Sequence, residues 1–307
     1  MTIPLILVLG PTASGKTALS VALAQALNGE IVNADAMAVY REMDIGTAKP
    51  SLAEQGGIKH HCLDCIPIEE TCHLARWLEM AEAVIADIHQ RGKQPVVAGG
   101  SPLYTKALIE GLSAGPPKDA AVRDALQARY HSEGGEALLA ELAAIDPSYA
   151  ADRHANDARR IIRALEVHAL TGQPYSSFHT TDGIRRSEYR TLLLGLNWDR
   201  SAINQRINLR AKQMFADGLV DEVARLQDRL SKEARQAVGY KEVIAHLWGG
   251  YDEKRALELV RRNSRHLAKH QQTWYRRFTD IQWIAGDAPD RDARALELAR
   301  AFLAEGL

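Results

Sequence analysis

The chain has 307 residues, of which 46% are hydrophobic and 25% charged, and its formal net charge at pH 7 is −1. This balance is typical of a folded soluble protein and excludes a largely disordered chain, while the length allows two domains or one large domain with an insertion. No apolar run approaches the roughly 18 residues that a membrane-spanning helix needs, so we expect a cytoplasmic protein that does not contact membranes.

Strand and helix patterns alternate through the first hundred residues. Apolar, β-rich segments at 3–9, 30–33 and 95–98 predict strands, and periodic segments at 16–27 and 74–90 predict helices. This alternation is the pattern of βαβ units, and it indicates an α/β fold with a parallel sheet flanked by helices.

The pattern changes after Gly111. Two prolines and then Ala-, Arg- and Glu-rich helical segments follow without a strand between them, which predicts an all-helical insertion over residues 115–189. A β-type segment at 190–196 returns the chain to the sheet. Residues 1–114 and 190–307 are then the predicted core domain. After residue 196 we predict helices at 201–230, 240–247 and 252–278, a last strand at 281–284 and a polar C-terminal helix.

A glycine-rich motif lies between the first predicted strand and the first predicted helix. It fits the pattern G-x-x-x-x-G-K-[ST], and its residues are Gly10, Pro11, Thr12, Ala13, Ser14, Gly15, Lys16 and Thr17. In such a P-loop the backbone N–H groups point at phosphate oxygens, and the helix N-terminus adds its positive end. We therefore predict that residues 10–17 bind a phosphate-bearing ligand, with Lys16 as a mobile cation and Thr17 as a ligand of Mg²⁺.

A carboxylate, Asp35, directly follows the second predicted strand. It should emerge at the carboxyl edge of the sheet, where ligands bind in open α/β folds, although a loop aspartate can also simply cap the next segment. The predicted strand at 95–98 ends in Gly99 and Gly100 instead of the acidic residue that P-loop kinases and ATPases need for Mg²⁺ and water. This absence disfavours ATP hydrolysis.

Together the motifs resemble those of the tRNA dimethylallyltransferases, the IPP transferase family. The matching segments are Gly10–Thr17, Asn33–Asp35, Val39–Arg41, Met43–Pro50, His60–His61, Gly99–Gly100, Leu103–Tyr104, Asn156–Val167, Arg235–Lys241 and Arg262–Trp274. The resemblance implies a P-loop NTPase-like parallel sheet with an all-helical insertion that grips the anticodon stem of tRNA. It also implies transfer of a dimethylallyl group from dimethylallyl diphosphate to N6 of the adenine on the 3′ side of the anticodon, in tRNAs that read codons beginning with U. Mg²⁺ is then the expected cofactor, and we expect a monomer.

The resemblance also implies roles for individual residues. Asp35 matches the general base that accepts the N6 proton, Lys16 and Thr17 with Mg²⁺ neutralise the leaving diphosphate, and Arg235 matches a second clamp. The positions that match tRNA contacts are Asp35, Ala36, Met37, Ala38, Ser101, Arg123, Arg159, Arg160, Ile161, Ile162, Arg163, Gln236, Gly239, Tyr240 and Lys241. The basic segment 255–277 suits a polyanion, but a solvated basic face on an amphipathic helix explains it as well.

Three positions depart from the family pattern. Family members often have Ser and Gln where this chain has Ala36 and Ala38, so two hydrogen bonds to the base are absent unless main-chain groups replace them. They have Gly where this chain has Pro102, a residue that the first turn of a helix accommodates.

Cysteine and histidine spacing allows a rival prediction of a zinc site. Cys62 and Cys65 form a C-x₂-C pair, and Cys72 precedes His73. The odd number of cysteines and the apolar residues usual at positions 62 and 65 favour small reduced buried thiols instead.

Three rival functions share some of these features. A P-loop nucleotide or small-molecule kinase shares the phosphate loop but requires the missing acidic residue. An enzyme that prenylates free adenine nucleotides would not need a long basic helical insertion. An RNA-binding module without catalysis leaves the P-loop unexplained.

Overall fold

The structure, a computed structural model, describes residues 2–112, 117–178 and 185–305. The contacts within the chain divide it into two compact units, Met1–Ile109 with Arg186–Leu307, and Glu110–Arg185. The boundary predicted between residues 114 and 115 lies outside the described residues, and the one predicted between 189 and 190 falls within a strand. Over the described ranges, no helix has the length and apolarity needed to span a membrane.

The first unit contains a six-stranded parallel sheet. Its strands are β1 (Ile3–Leu9), β2 (Gly29–Asn33), β3 (His60–His61), β4 (Gln94–Ala98), β5 (Tyr189–Asn197) and β6 (Gln282–Ala285). Their order is β3-β2-β4-β1-β5-β6, and each neighbouring pair is parallel. The predicted α/β fold class is confirmed, and the phosphate loop follows a central strand, at the carboxyl edge where ligands bind.

Helices follow most of the strands. Within the described ranges the α-helices are α1 (Lys16–Ala26), α2 (Leu74–Gln90), α3 (Pro102–Glu110), α4 (Ala120–Glu133), α5 (Gly135–Ile145), α6 (Pro147–Ala150), α7 (Ala158–Thr171), α8 (Arg200–Ala216), α9 (Leu219–Leu226), α10 (Tyr240–Leu247), α11 (Glu253–Tyr275) and α12 (Arg291–Ala304). Pro102 begins α3, the first-turn position at which the missing N–H of proline is tolerated.

Side chains of β1 alternate between two cores, as the two-residue period of a strand requires. Leu5, Leu7 and Leu9 belong to a core that includes residues of α2, α9 and α10. Ile6 and Val8 belong to a second core that includes residues of α1 and α12. Helices therefore cover both faces of the sheet, as they do in parallel α/β folds.

The single helix predicted over residues 201–230 is wrong, because the structure has two helices there, α8 and α9. Gly218 separates them in a left-handed conformation with φ of +98°, which stops an α-helix and which glycine adopts at little cost.

The second unit contains helices joined by short loops, and no strand occurs in its described residues, 110–112, 117–178 and 185. Its core joins α4, α5 and α7 through Leu126, Leu138, Leu142 and Leu165. The helical patterns predicted between 111 and 170 are therefore confirmed where the structure describes them.

A buried carboxylate, Glu30, lies near the start of β2 with 3% of its surface exposed. Arg91 donates two hydrogen bonds of 2.7 Å to it, Lys93 donates one of 2.7 Å, and His61 Nε2 lies 2.7 Å from it. The hydrogen bonds from Arg91 and then from Lys93 and His61 hold the pKa of Glu30 far below its usual value despite burial.

We expect Glu30→Gln to lower the free energy of unfolding at pH 7 by about 2 kcal/mol, because a buried charge network loses its centre. Since the folded-state pKa lies below the unfolded-state value of about 4.3, this stabilisation is complete above that value and is lost as the pH falls further. Urea unfolding at pH 7 and pH 3 measures both effects. Glu133→Gln, which breaks an exposed pair with Arg129, is the control and should change stability by less than about 0.5 kcal/mol.

Candidate active site

The phosphate loop folds back on itself between β1 and α1. Ala13 and Gly15 both have positive φ, 65° and 92°, and Gly15 caps the N-terminus of α1. The Lys16 ammonium donates hydrogen bonds of 3.0 and 2.8 Å to the carbonyl oxygens of Gly10 and Pro11. This curvature is the one expected of a P-loop. The Lys16 ammonium lies over the loop, where a bound anion can replace the two carbonyl oxygens as its hydrogen-bond partner.

Two arginines that the sequence analysis did not identify contact the loop from α8. Arg210 donates to the Thr12 hydroxyl, and Arg206 Nε donates to the Ala13 carbonyl at 2.8 Å. Their four-residue spacing in a helix that follows β5 was the available signal, because residues so spaced share one helix face and β5 pairs with β1.

Asp35 lies just after β2 and does two things. Its Oδ1 accepts hydrogen bonds from the N–H groups of Met37 at 2.9 Å and Ala38 at 3.3 Å, and the Ala36 N–H donates to Ser101 Oγ at 3.0 Å. Asp35 therefore caps the turn that follows it, which is the structural role that the sequence also allowed for a loop aspartate. It also lines a cavity at the phosphate loop, so that capping and a role in catalysis are compatible.

The carboxyl end of β4 lies in close contact with that of β2. A Cβ atom placed on Gly99 would lie 2.1 Å from the carbonyl oxygen of Ala34, so no side chain fits there. Next to it, buried Gln271 of α11 donates to the Gly100 carbonyl at 2.6 Å and accepts from the Thr12 N–H at 2.8 Å. Gln271, also missed from sequence, thus ties the phosphate loop to the end of β4.

Two cavities of the first unit meet at the phosphate loop. The first, of about 180 Å³, is lined by polar residues that include Thr12, Lys16, Thr17, Asp35, Arg210 and Gln271, and by apolar residues that include Ile207, Ala211, Met214, Val238, Val260 and Leu267. The second, of about 380 Å³, is lined by residues 13–17 and by Ala48, Glu54, Arg206, Leu209 and Arg210. Lys16, Thr17, Ala48 and Arg210 line both, so these four residues mark the junction.

The charged groups at this junction are two cations, Lys16 and Arg210, and one carboxylate, Asp35. Loss of hydration lowers the pKa of Lys16 to about 8, the charge of Asp35 opposes this shift, and the charge of Arg210 adds to it. Burial likewise lowers the pKa of Arg210, again opposed by Asp35. Two cations thus face one carboxylate in a partly dehydrated site, which favours binding of an anion.

The predicted clamp, Arg235, does not line either cavity. Its guanidinium donates to the Gln227 carbonyl at 2.6 Å and lies 5.9 Å from the ring centre of Trp248. Gln236 and Lys241 are exposed, whereas Gly239 and Tyr240 are buried, so the segment 235–241 presents two of its four predicted tRNA contacts to solvent.

The predicted tRNA-binding residues of the second unit differ in exposure. Arg123 and Arg163 both donate to Glu166, which is fully buried, at 2.7 Å. Arg159 is exposed, Arg160 contacts Asp157 at 3.3 Å, and the side chains of Ile161 and Ile162 are 0% and 3% exposed in the core of the unit. The arginines therefore form the accessible part of this set.

The rival zinc site finds no support within residues 2–112, 117–178 and 185–305, where no group of three or more His, Cys, Asp or Glu could hold a metal ion. Cys62 and Cys72 are buried and Cys65 is partly buried, all as free thiols. Burial raises the pKa of the Cys62 thiol to about 12, which keeps it protonated.

A parallel sheet with a lysine-bearing loop after a central strand makes this chain a P-loop protein of the α/β class. Its fold alone does not separate kinases from other phosphate-binding enzymes. The profile of the IPP transferase family matches residues 38–278, and the chain belongs to that family.

Named relatives extend the match over almost the whole chain. A protein named tRNA dimethylallyltransferase 1, from Trichlorobacter lovleyi, is 46% identical over 98% of this chain and 99% of its own length. The crystal structure of a full-length tRNA isopentenylpyrophosphate transferase from Bacillus halodurans is 38% identical, with a TM-score of 0.73 over 98% of this chain and 96% of that one. A eukaryotic dimethylallyltransferase described as acting on tRNA has a TM-score of 0.83 at 28% identity over 99% of this chain and 80% of that one.

Proposed function

We propose that this protein transfers a dimethylallyl group from dimethylallyl diphosphate to N6 of the adenine on the 3′ side of the anticodon, in tRNAs that read codons beginning with U. The observation that carries the proposal is one cavity lined by the carboxylate of Asp35, by the cations Lys16 of the phosphate loop and Arg210 of α8, and by apolar side chains. Membership in a family whose named relatives are tRNA dimethylallyltransferases supports it.

The apolar wall suits the hydrocarbon part of the donor. Ile207, Ala211 and Met214 recur every three or four residues along α8, and Val260 and Leu267 face the cavity from α11. We infer that an allylic group binds against these apolar side chains while its diphosphate lies at the junction with the loop, because the cavity offers apolar contacts to one part of the donor and cations to the other.

The reaction then needs one bond to form and one to break. N6 of adenine forms a bond to C1 of the allyl group as the bond from C1 to the diphosphate oxygen breaks, and the N6 proton passes to the Asp35 carboxylate. Backbone N–H groups of residues 13–17, the Lys16 ammonium and the Arg210 guanidinium neutralise the charge that develops on the diphosphate. Apolar neighbours strengthen these interactions by excluding water.

The loop also fits the cation Mg²⁺. Thr17 exposes its hydroxyl where the two cavities meet, and oxygen ligands together with phosphate oxygens are what Mg²⁺ prefers. When bound, Mg²⁺ would add positive charge to the diphosphate and help it to leave.

The tRNA has to present one base to this cavity. We propose that the helical unit 110–185, through exposed arginines such as Arg159 and Arg160, binds the anticodon stem by phosphate contacts. These contacts would offset the few kcal/mol needed to extrude the base. We further propose that the enzyme acts as a monomer in the cytoplasm.

The close approach of the β2 and β4 ends argues against the alternative of a P-loop kinase. Position 99 has no room for the carboxylate that such an enzyme places after this strand. The direct test mixes the protein with unmodified tRNA, Mg²⁺ and labelled dimethylallyl diphosphate, without ATP. Label in the tRNA supports the proposal, whereas no label, together with phosphate release in a separate reaction that contains ATP, would contradict it.

Activity should depend on pH through Lys16. Its pKa is lowered from 10.5 to about 8, so the free enzyme loses this positive charge as the pH rises through 8. We expect kcat/KM for dimethylallyl diphosphate, which reports the free enzyme, to fall about tenfold per pH unit above that value. In Lys16→Arg the guanidinium stays charged, so the decline should disappear below pH 10. A flat wild-type profile from pH 7 to 9.5 would refute this.

A further inference from the structure

The loop formed by residues 43–50 is a wall of the proposed donor site. Gly46, Thr47, Ala48 and Pro50 line the first cavity, and Ala48 also lines the second, beside Lys16 and the other junction residues. The loop lies outside every helix and strand, so its shape depends on turns and on side chains that reach it. Its placement therefore decides how closely it approaches the diphosphate.

One buried carboxylate, Glu222 of α9, accepts hydrogen bonds from three consecutive backbone N–H groups of this loop. Its Oε2 accepts from Asp44 at 3.0 Å and Ile45 at 2.8 Å, and its Oε1 accepts from Gly46 at 3.0 Å. Successive N–H groups that converge on one point form a nest for an anion, and here the anion is a side chain of the protein itself. With only 6% of its surface exposed, Glu222 has little water to replace these donors.

Tyr240, the first residue of α10, completes the arrangement. Its hydroxyl donates to Glu222 Oε1, and its ring packs on the loop so closely that a Cβ on Gly46 would lie 2.3 Å from Tyr240 Cε2. Burial and the charge of Glu222 raise the pKa of Tyr240 well above its usual value, so the hydroxyl remains a donor. The ring and the carboxylate thus hold the loop from two sides.

We propose that Glu222 and Tyr240 are positioning residues that fix the loop 43–50 against the donor diphosphate, so that they determine donor affinity more than the chemical step. The inference rests on the proposed function for the identity of the donor. Neither residue lines either of the two cavities at the phosphate loop, so both act on the donor site through the loop 43–50. A displacement of about 1 Å in such a wall is enough to change rates or affinities about 10²-fold.

The test uses Glu222→Gln, which turns one acceptor oxygen into an amide N–H₂ group facing backbone donors, and Tyr240→Phe, which keeps the ring and removes the hydroxyl. We expect the KM for dimethylallyl diphosphate to rise about 10- to 100-fold in Glu222→Gln and about 3- to 10-fold in Tyr240→Phe, with kcat within about threefold of wild type. Calorimetric affinity for inorganic diphosphate should fall by the same factors.

The matched control is Asp146→Asn in the helical unit. Asp146 is also a buried carboxylate that accepts backbone N–H groups, from Tyr149 and Ser176, but it is remote from the loop in sequence and lies in the other unit. Loss of thermal stability in all three variants with a donor KM effect only in the first two supports the proposal. Unchanged diphosphate affinity in Glu222→Gln and Tyr240→Phe, or an equal KM effect in Asp146→Asn, would overturn it.

Binding of inorganic diphosphate separates this inference from the proposed function, because it requires no prenyl transfer. If wild type binds diphosphate but labels no tRNA, the proposed function fails while the loop proposal stands on the affinity data. If Glu222→Gln does not fold, Tyr240→Phe decides the question by the same two measurements.

Discussion

Asp35→Asn is expected to lower the single-turnover rate of prenyl transfer to tRNA about 10²- to 10⁴-fold, the usual range for loss of a general base. Asparagine is the informative substitution because Asp35 Oδ1 accepts the N–H groups of Met37 and Ala38. An amide oxygen can still accept both hydrogen bonds, but the amide cannot take a proton at neutral pH. The turn after β2 is thereby kept while the base is removed.

The measurement pairs single-turnover kinetics with tRNA affinity, which should change by less than about threefold. Asp252→Asn is the control, since Asp252 caps α11 through a similar hydrogen bond, 2.7 Å from the Arg255 N–H. It should leave the rate unchanged. A normal rate with lost tRNA binding in Asp35→Asn would assign Asp35 to positioning alone, and a further loss in Asp35→Ala would measure the contribution of the turn.

Arg210→Gln is expected to lower kcat/KM for dimethylallyl diphosphate about 10²- to 10³-fold, because a charge that faces the leaving group in a partly dehydrated site is lost. Arg210 lines both cavities and donates to the Thr12 hydroxyl of the phosphate loop. Glutamine keeps an N–H donor, on a shorter side chain, but has no charge.

Arg235→Gln is the matched comparison, because the family resemblance implies a clamp there while the structure has its guanidinium on Gln227 and near Trp248. We expect less than about a fivefold change in kcat/KM and a modest loss of stability. Inhibition by inorganic diphosphate, measured for both variants, reports on ground-state binding separately. A large loss in Arg235→Gln with a small one in Arg210→Gln would restore the role that the resemblance implies for Arg235.

The local pattern of apolar and polar residues was sufficient to predict much of the fold. The helices 74–90 and 240–247 and the strand 3–9 have the predicted bounds. For these elements the period of the apolar residues indicates helix or strand, and the flanking residues indicate where the element begins and ends. Strand β3 was missed because two residues show no period, and the break between α8 and α9 was missed because Gly218 lies within an otherwise continuous helical pattern.

The site was less predictable for a different reason. The phosphate loop and Asp35 follow strands directly, so sequence order places them at one edge of the sheet. Arg210 and Gln271 reach the loop from helices about 200 and 260 positions further along the chain. The four-residue spacing of Arg206 and Arg210 was a weak signal, and nothing around Gln271 distinguishes it from other polar residues on an amphipathic helix. Only the packing of α8 and α11 brings them there.

The contact between the ends of β2 and β4 also bears on how this enzyme relates to other P-loop proteins. Any residue but glycine at position 99 would drive its Cβ into the Ala34 carbonyl, 2.1 Å away, so no point substitution can introduce a carboxylate there. Conversion to a phosphoryl-transfer enzyme would require two strand ends to move apart at once. The barrier between the two chemistries at this position is therefore one of backbone geometry as well as of side-chain identity.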